Sequence, residues 1–182
     1  MKILLLTATP DKAGPFAERM KTLAEYMTAR GNTLEHHELS GMDIRYCTGC
    51  FNCWWKTPGR CTFTDDMEVL YPGILKSDLL VFASPLVMGL PSYIIKRCQD
   101  RLIPLVHPYI TLVKGECHHR KRYDRYPDIS LITQKETDTE AEDIEMLEKL
   151  YRRLALNLHA TFRGIGFIDM TDEEVCNEAC RV

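Results

Sequence analysis

Four cysteines fall within fifteen residues: Cys47, Cys50 and Cys53 at a repeated two-residue separation, then Cys61 after a seven-residue spacer. Thiolates hold iron–sulfur clusters and structural zinc. Three thiols at this spacing in a tight loop can turn inward on one point. Three readings stand side by side. The thiols hold a four-iron cluster that passes single electrons, or they hold zinc, or they are free and pack against Trp54 and Trp55. Thr64-Asp65-Asp66-Met67 follows at once, so the run is expected in the loop before a helix and not inside one.

Other reactive groups are scattered. Cys117-His118-His119-Arg120-Lys121-Arg122 offers metal ligands first and phosphate-binding cations after, although a solvated basic surface or a subunit contact explains it more simply. Cys176 and Cys180 have the i, i+4 spacing of a helix. His36, His37 and His159 read as structural. No serine–histidine–acid arrangement or metalloprotease helix stands out, so no side chain is nominated as catalytic.

The elements that must position these groups alternate between strand and helix. Ile3 to Ala8 is a short apolar run of the kind covered on both faces in a parallel sheet. After Gly14-Pro15, the residues Phe16, Met20, Leu23 and Met27 recur at helical spacing, and Gly31 ends the helix. Thr33 to Leu39 reads as a second strand. Thr64 is expected to cap a helix carrying Asp65 and Asp66 in its first turn, with Pro72 kinking or shortening it. Asp78 to Ala83 is a buried strand, Ser84 to Pro91 a loop, and 92 to 102 a helix. Residues 104–127 read as irregular. Ile129 to Thr133 is a fourth strand, Glu140 to Leu158 a long amphipathic helix, and Ala160 to Ile168 a fifth strand. This rhythm argues for a doubly wound α/β sheet of five parallel strands in the order 2-1-3-4-5. In such sheets ligands bind beyond the carboxyl ends of the strands, at the switch point.

The 182 residues suit one domain over 1–182, with a cysteine-rich loop at 46–63. A net charge of −3 gives no argument for nucleic acid or an anionic membrane. No apolar stretch approaches the roughly 20 residues that span a bilayer, and Asp11-Lys12 interrupts the apolar start before it could act as a signal peptide. Eight cysteines in this setting suggest thiols or metal ligands in a cytoplasmic protein.

The sequence resembles the flavodoxin-like NAD(P)H-dependent FMN reductases, and especially the branch that includes the iron–sulfur flavoproteins. The residues that carry the likeness are Cys47, Cys50, Cys53 and Cys61, Asp65-Asp66-Met67, Ser77 to Leu86, Gly89 and Asp100-Arg101. The match covers roughly residues 1 to 104. The resemblance implies FMN over three loops. The first carries Thr9, Lys12, Gly14, Pro15 and Phe16, with Asp11 where the family has arginine. The second carries Ser84, Pro85, Leu86, Val87, Met88 and Gly89. The third starts at Thr133. It further implies NAD(P)H as co-substrate and a quinone-like, azo, nitro or protein electron acceptor. A homodimer is also implied, with Trp54, Trp55 and residues 105–127 near the contact. A reading from another class is a non-enzymatic electron carrier, or a thiol- or metal-based redox sensor, on the same scaffold.

Overall fold

The computed structural model describes residues 1–9, 14–113 and 115–180. Its elements are β1 (Lys2–Thr7), α1 (Pro15–Ala29), β2 (Thr33–Glu38), α2 (Asn52–Trp55), α3 (Met67–Lys76), β3 (Leu79–Val87), β4 (Leu90–Pro91), α4 (Tyr93–Asp100), β5 (Val106–Val113), β6 (Glu116–Lys121), β7 (Asp128–Gln134), α5 (Ala141–Asn157), β8 (Phe162–Phe167) and α6 (Asp172–Val175). The main sheet runs β2-β1-β3-β7-β8, with β4 attached antiparallel to β3. Its other pairings are parallel. Counted along the chain, the parallel strands follow the expected order 2-1-3-4-5.

The two-residue period of the strands builds two cores. Leu4 and Leu6 of β1, Leu80 and Phe82 of β3, and Ile129 and Leu131 of β7 face one side, where α3, α4 and α5 pack. Ile3 and Leu5, with Leu79 and Val81, face the other. There the apolar stripe of α1 (Phe16, Met20, Leu23, Met27) meets Val175, Ala179 and Cys180 of the tail. Because both faces are buried, these strands read as continuous apolar runs. The tail lies so close to β8 that a Cβ on Gly164 would stand 2.4 Å from the Glu178 carbonyl oxygen. Only a glycine allows that approach.

Four expectations need correction. Residues 84–91 are not a plain loop: β3 runs on to Val87 and returns through Met88-Gly89 into β4. Both turn residues have positive φ (55° and 73°), the requirement of a tight hairpin that matches strand twist. Residues 104–127 are not irregular either. They hold the antiparallel β5–β6 pair, hidden from the sequence by Pro108 near a register shift and by the charge of β6. Thr64 does not cap α3, whose N-cap residue is Asp66. The carboxylates of Asp65 and Asp66 instead accept from the backbone of Arg45 and Asp43. Finally, Pro72 does not cut α3 short: the helix runs on to Lys76.

Candidate functional site

The order of the sheet reverses at β1, so the loops after β1 and β3 flank its switch point. Lys12 lies outside the described residues. The N-cap of α1 is Gly14, which has no side chain to satisfy the helix's first N–H groups, and Pro15 follows it. Phe16 is buried in the core beneath. Among the described residues no side chain caps this 15-residue helix, whose N-terminus brings the positive end of its dipole to the switch point.

Thr9 is buried and already engaged. Its N–H and hydroxyl donate to the Glu38 carboxylate at 3.2 and 2.7 Å. The Thr7 hydroxyl and the Ser40 N–H reach the same carboxylate at 2.9 and 3.0 Å. Burial works to raise the Glu38 carboxyl, but the hydrogen bonds from Thr9 and Ser40 outweigh it and hold the group below the usual carboxylate range. Sequence reasoning missed Glu38. It stands at the last position of β2, directly opposite Thr7 in the parallel register, a pairing that the structure alone reveals.

The second and third loops are also internally bonded. The Ser84 hydroxyl is buried and accepts from the Ser92 N–H at 2.9 Å. Thr133 donates to the Ser84 carbonyl at 2.7 Å. Leu86 is buried, Val87 and Met88 are exposed, and the Gly89 N–H donates to Glu136 at 3.1 Å. Pro85 ends the register of β3 with β7, opposite Gln134.

The cysteine loop leaves the same carboxyl edge after β2. Cys47, Cys50, Cys53 and Cys61 line one apolar recess, closed by Phe63, Arg101 and Ile103 among others. Phe51 takes a left-handed conformation (φ 55°) and starts the short α2, so Cys53 sits inside a helical turn and is buried, whereas Cys47 and Cys50 stay exposed. Among the described residues no three His, Cys, Asp or Glu side chains are placed to hold one metal ion. Even so, the Cys61, Cys47 and Cys50 thiols lie near enough to act on Cys53.

The four thiols nevertheless differ chemically. The Asn52 N–H, with the hydroxyls of Thr48 and Thr62, draws the Cys50 thiol below its ordinary value. Burial, then the neighbouring thiols of Cys61, Cys47 and Cys50, push Cys53 up to about 11. Trp54 is not a surface residue: its indole N–H donates to the Ile103 and Val106 carbonyls, and its ring packs on His119. Trp55 is exposed. Cys176 and Cys180 share the π-helical turn 176–180, where a hydrogen bond from Cys180 lowers the Cys176 thiol.

Sheet order, switch point and flanking helices define a flavodoxin-like α/β fold. No known family profile matches the chain. Over 107 residues it is 30% identical to an iron–sulfur flavoprotein of Archaeoglobus fulgidus, covering 59% of this chain and 48% of that one. Over 105 residues it is 25% identical to an iron–sulfur flavoprotein of Methanocaldococcus jannaschii, covering 58% and 53%. The chain thus spans about half the length of the curated relatives it matches. Among solved structures, it is similar to an NAD(P)H:quinone oxidoreductase from Methanothermobacter marburgensis (TM-score 0.64, 15% identity, 100% and 92% covered). It is likewise similar to an FMN-dependent NADH-azoreductase from Bacillus anthracis solved with FMN (TM-score 0.61, 14% identity, 100% and 95% covered). The resemblance read from the cysteine run and the strand-end loops agrees with these relatives. Among the described residues no helix is long and apolar enough to cross a membrane.

Proposed function

We propose that this chain, as one domain over 1–182, is an FMN-dependent NAD(P)H oxidoreductase whose cysteine recess holds an iron–sulfur cluster. The observation that carries the reading is a four-thiol recess on the loop leaving the same sheet edge as the uncapped N-terminus of α1. The phosphate of FMN fits that N-terminus, near Gly14, Pro15 and Phe16, with Lys12 as the cation of the same loop. Ser84 to Gly89 and Thr133 would border the ring, mainly through backbone. FMN would supply the hydride chemistry, and the protein's part is to orient the ring and exclude water.

A cluster is preferred to zinc because the relatives the chain matches are named iron–sulfur flavoproteins. Structural zinc needs its thiolates on one tetrahedron. A four-iron cluster binds each thiolate through a different iron, so it needs a thiol-lined chamber and not a single point. Cys47, Cys50, Cys53 and Cys61 provide the four donors, around a recess of about 20 Å³ that must widen to take the cluster. A homodimer is part of the proposal, supported by the exposed Trp55, Tyr109, Ile110 and Leu112. So is a cytoplasmic setting, in which free thiols persist.

A second reading, an electron carrier or thiol sensor without enzymatic turnover, is favoured by one observation. The Thr9 donors and the Gly89 N–H are already held by Glu38 and Glu136. Anaerobic purification followed by a visible spectrum, iron analysis and an FMN titration separates the two. Bound flavin and NAD(P)H-dependent reduction support the enzyme. Protein that takes up iron but never FMN supports the carrier. Protein that takes up neither overturns the enzyme and the electron carrier and leaves a metal-free thiol sensor, which reversible oxidation of the recess thiols then tests.

A further inference from the structure

Cys176 and Cys180 lie outside the cysteine recess and take no part in the proposed flavin site. They stand at the two ends of the π-helical turn 176–180, which continues directly from α6. Single π turns are rare and recur at functional sites. In an α-helix, residues four apart are separated by about 6 Å along the axis, near the upper limit of the roughly 4.4–6.8 Å that a disulfide bridges between Cα atoms. A π turn closes i to i+5 hydrogen bonds. It is therefore wider and flatter, and it brings those two positions nearer. The turn is also held from below. The Ser130 hydroxyl donates to the Ala179 carbonyl, and the Glu178 carbonyl rests on Gly164.

The two sulfurs already meet, because the Cys180 thiol donates a hydrogen bond to Cys176. That bond, working against burial, lowers the Cys176 thiol. The Arg30 and Arg19 guanidinium groups add to it and Asp172 opposes it. The same bond, then burial, pushes Cys180 up. Cys176 is partly exposed, whereas Cys180 is buried in the core shared with α1. One thiol is thus reachable and disposed to ionise, as a nucleophilic thiol must be. The other is shielded from solvent but in contact with the first. Such a pair divides naturally into an attacking and a resolving cysteine.

We propose that Cys176 and Cys180 form a dithiol–disulfide couple that exchanges with small-molecule disulfides of the glutathione disulfide class. The Cys176 thiolate attacks one sulfur of the external disulfide and releases the first thiolate, leaving a mixed disulfide on Cys176. The Cys180 sulfur gives up its proton, attacks Cys176 Sγ and expels the second thiolate. Two cysteine thiols are oxidised to one disulfide. One external disulfide is reduced to two thiols, which take up the two protons that the cysteines lose. The new bond closes the turn that holds the tail against β8. The assignment goes beyond the oxidoreductase reading and does not require it.

The test is peptide mapping. Trypsin releases residues 164–181 as one peptide that carries Cys176 and Cys180 and no other cysteine. The full chain, reduced and then freed of reductant, is incubated with excess glutathione disulfide and quenched with acid. It is alkylated with iodoacetamide in denaturant before digestion. The peptide is expected to be two hydrogens lighter than its dithiol form and free of alkyl groups, and dithiothreitol should restore the dithiol. Cys180→Ala should instead accumulate glutathione on Cys176, and Cys176→Ser should leave Cys180 unmodified. A wild-type peptide that stays a dithiol and takes two alkyl groups, or that stops at the mixed disulfide, would overturn the assignment. So would a bond from Cys176 to a cysteine of the recess, or faster glutathione addition to Cys180 than to Cys176 in the single variants. Neither FMN nor iron enters the readout, so failure of the flavin proposal leaves this result interpretable.

Discussion

Arg101 and Asp65 form a forked ion pair, with Nη1 to Oδ2 at 2.7 Å and Nη2 to Oδ1 at 3.0 Å, and their side chains are 1% and 0% exposed. The pair joins the end of α4 to the start of α3. Arg101 also donates to the Arg45 carbonyl, and Asp65 accepts from the Arg45 and Met67 N–H groups. Arg101 at the same time forms part of the wall of the cysteine recess. Removing one member leaves a buried charge without its partner, which costs about 3–5 kcal/mol. Asp65→Ala should therefore lower the free energy of unfolding by about that amount in urea titrations. The double variant Asp65→Leu/Arg101→Met should lose less than either single change. Additive losses would show that the two side chains act independently.

The same carboxylate and that of Glu38 set the acid limit of stability. Burial tends to raise both, but Arg101 with backbone donors outweighs it at Asp65, and Thr9 with Ser40 does so at Glu38. Each group is thus held lower in the folded chain than in the unfolded one. Protons then bind the unfolded state more readily, so the stabilisation is present above the ordinary values of 3.8 and 4.5 and is lost as pH falls through the folded values. Melting temperatures should fall from about pH 4.5 downward. Glu38→Gln should show a shallower decline over that interval. An identical acid profile for the variant would remove Glu38 from this account.

Under the proposed function, Glu38 also bears on FMN affinity. Its carboxylate takes donors that face the switch point, and its charge repels a phosphate placed at the N-terminus of α1. Glu38→Gln removes the charge while keeping an oxygen acceptor for Thr9. The variant should bind FMN more tightly, on the order of threefold to tenfold, at low salt. The gain should shrink as salt screens the charge. Weaker binding by Glu38→Gln would mean that the carboxylate orients the loop and does not compete with the phosphate.

The thiols of the recess should react in a fixed order. Only the thiolate is nucleophilic. Cys50 is exposed and lowered by the Asn52 N–H, whereas Cys53 is buried and pushed up to about 11. Alkylation of the metal-free chain near neutral pH, followed by mass mapping, should label Cys50 early and Cys53 last of the four. Loading with iron and sulfide should protect all four. Early labelling of Cys53 would mean that the recess opens in solution.

The sheet was legible because its strands are buried on both faces, which leaves unbroken apolar runs such as Ile3–Ala8 and Asp78–Ala83. The alternation with α1 and α5 followed from helical periodicity, and the strand order followed from connection rules. The hairpin of β5 and β6 was not legible, since half-exposed strands carrying Pro108 and a basic run lack that signature. Site chemistry was legible only where it is local. The cysteine spacing marked the recess. The partnership of Glu38 with Thr9 and that of Arg101 with Asp65 arise from parallel register and helix packing across 29 and 36 residues, distances at which a single sequence carries no pairing signal.

Met88 sits at the tip of the β3–β4 turn, 90% exposed, with φ at 55°. A non-glycine residue held there costs of order 1 kcal/mol, and a bare apolar side chain at an exposed tip gains nothing from burial. The neighbouring Gly89 cannot relieve the turn, because a Cβ there would approach Asp143 Oδ1 to 3.2 Å at a φ of 73°. Such strain persists where the exposed side chain has a use, and this tip lies on the second candidate flavin loop. Met88→Gly should raise the unfolding free energy by a few tenths to about 1 kcal/mol. It should weaken FMN binding at the same time, since the flavin ring loses an apolar cover. A variant that is more stable and binds FMN unchanged would place the ring elsewhere on the edge. A variant that is less stable would show that the turn does not strain Met88.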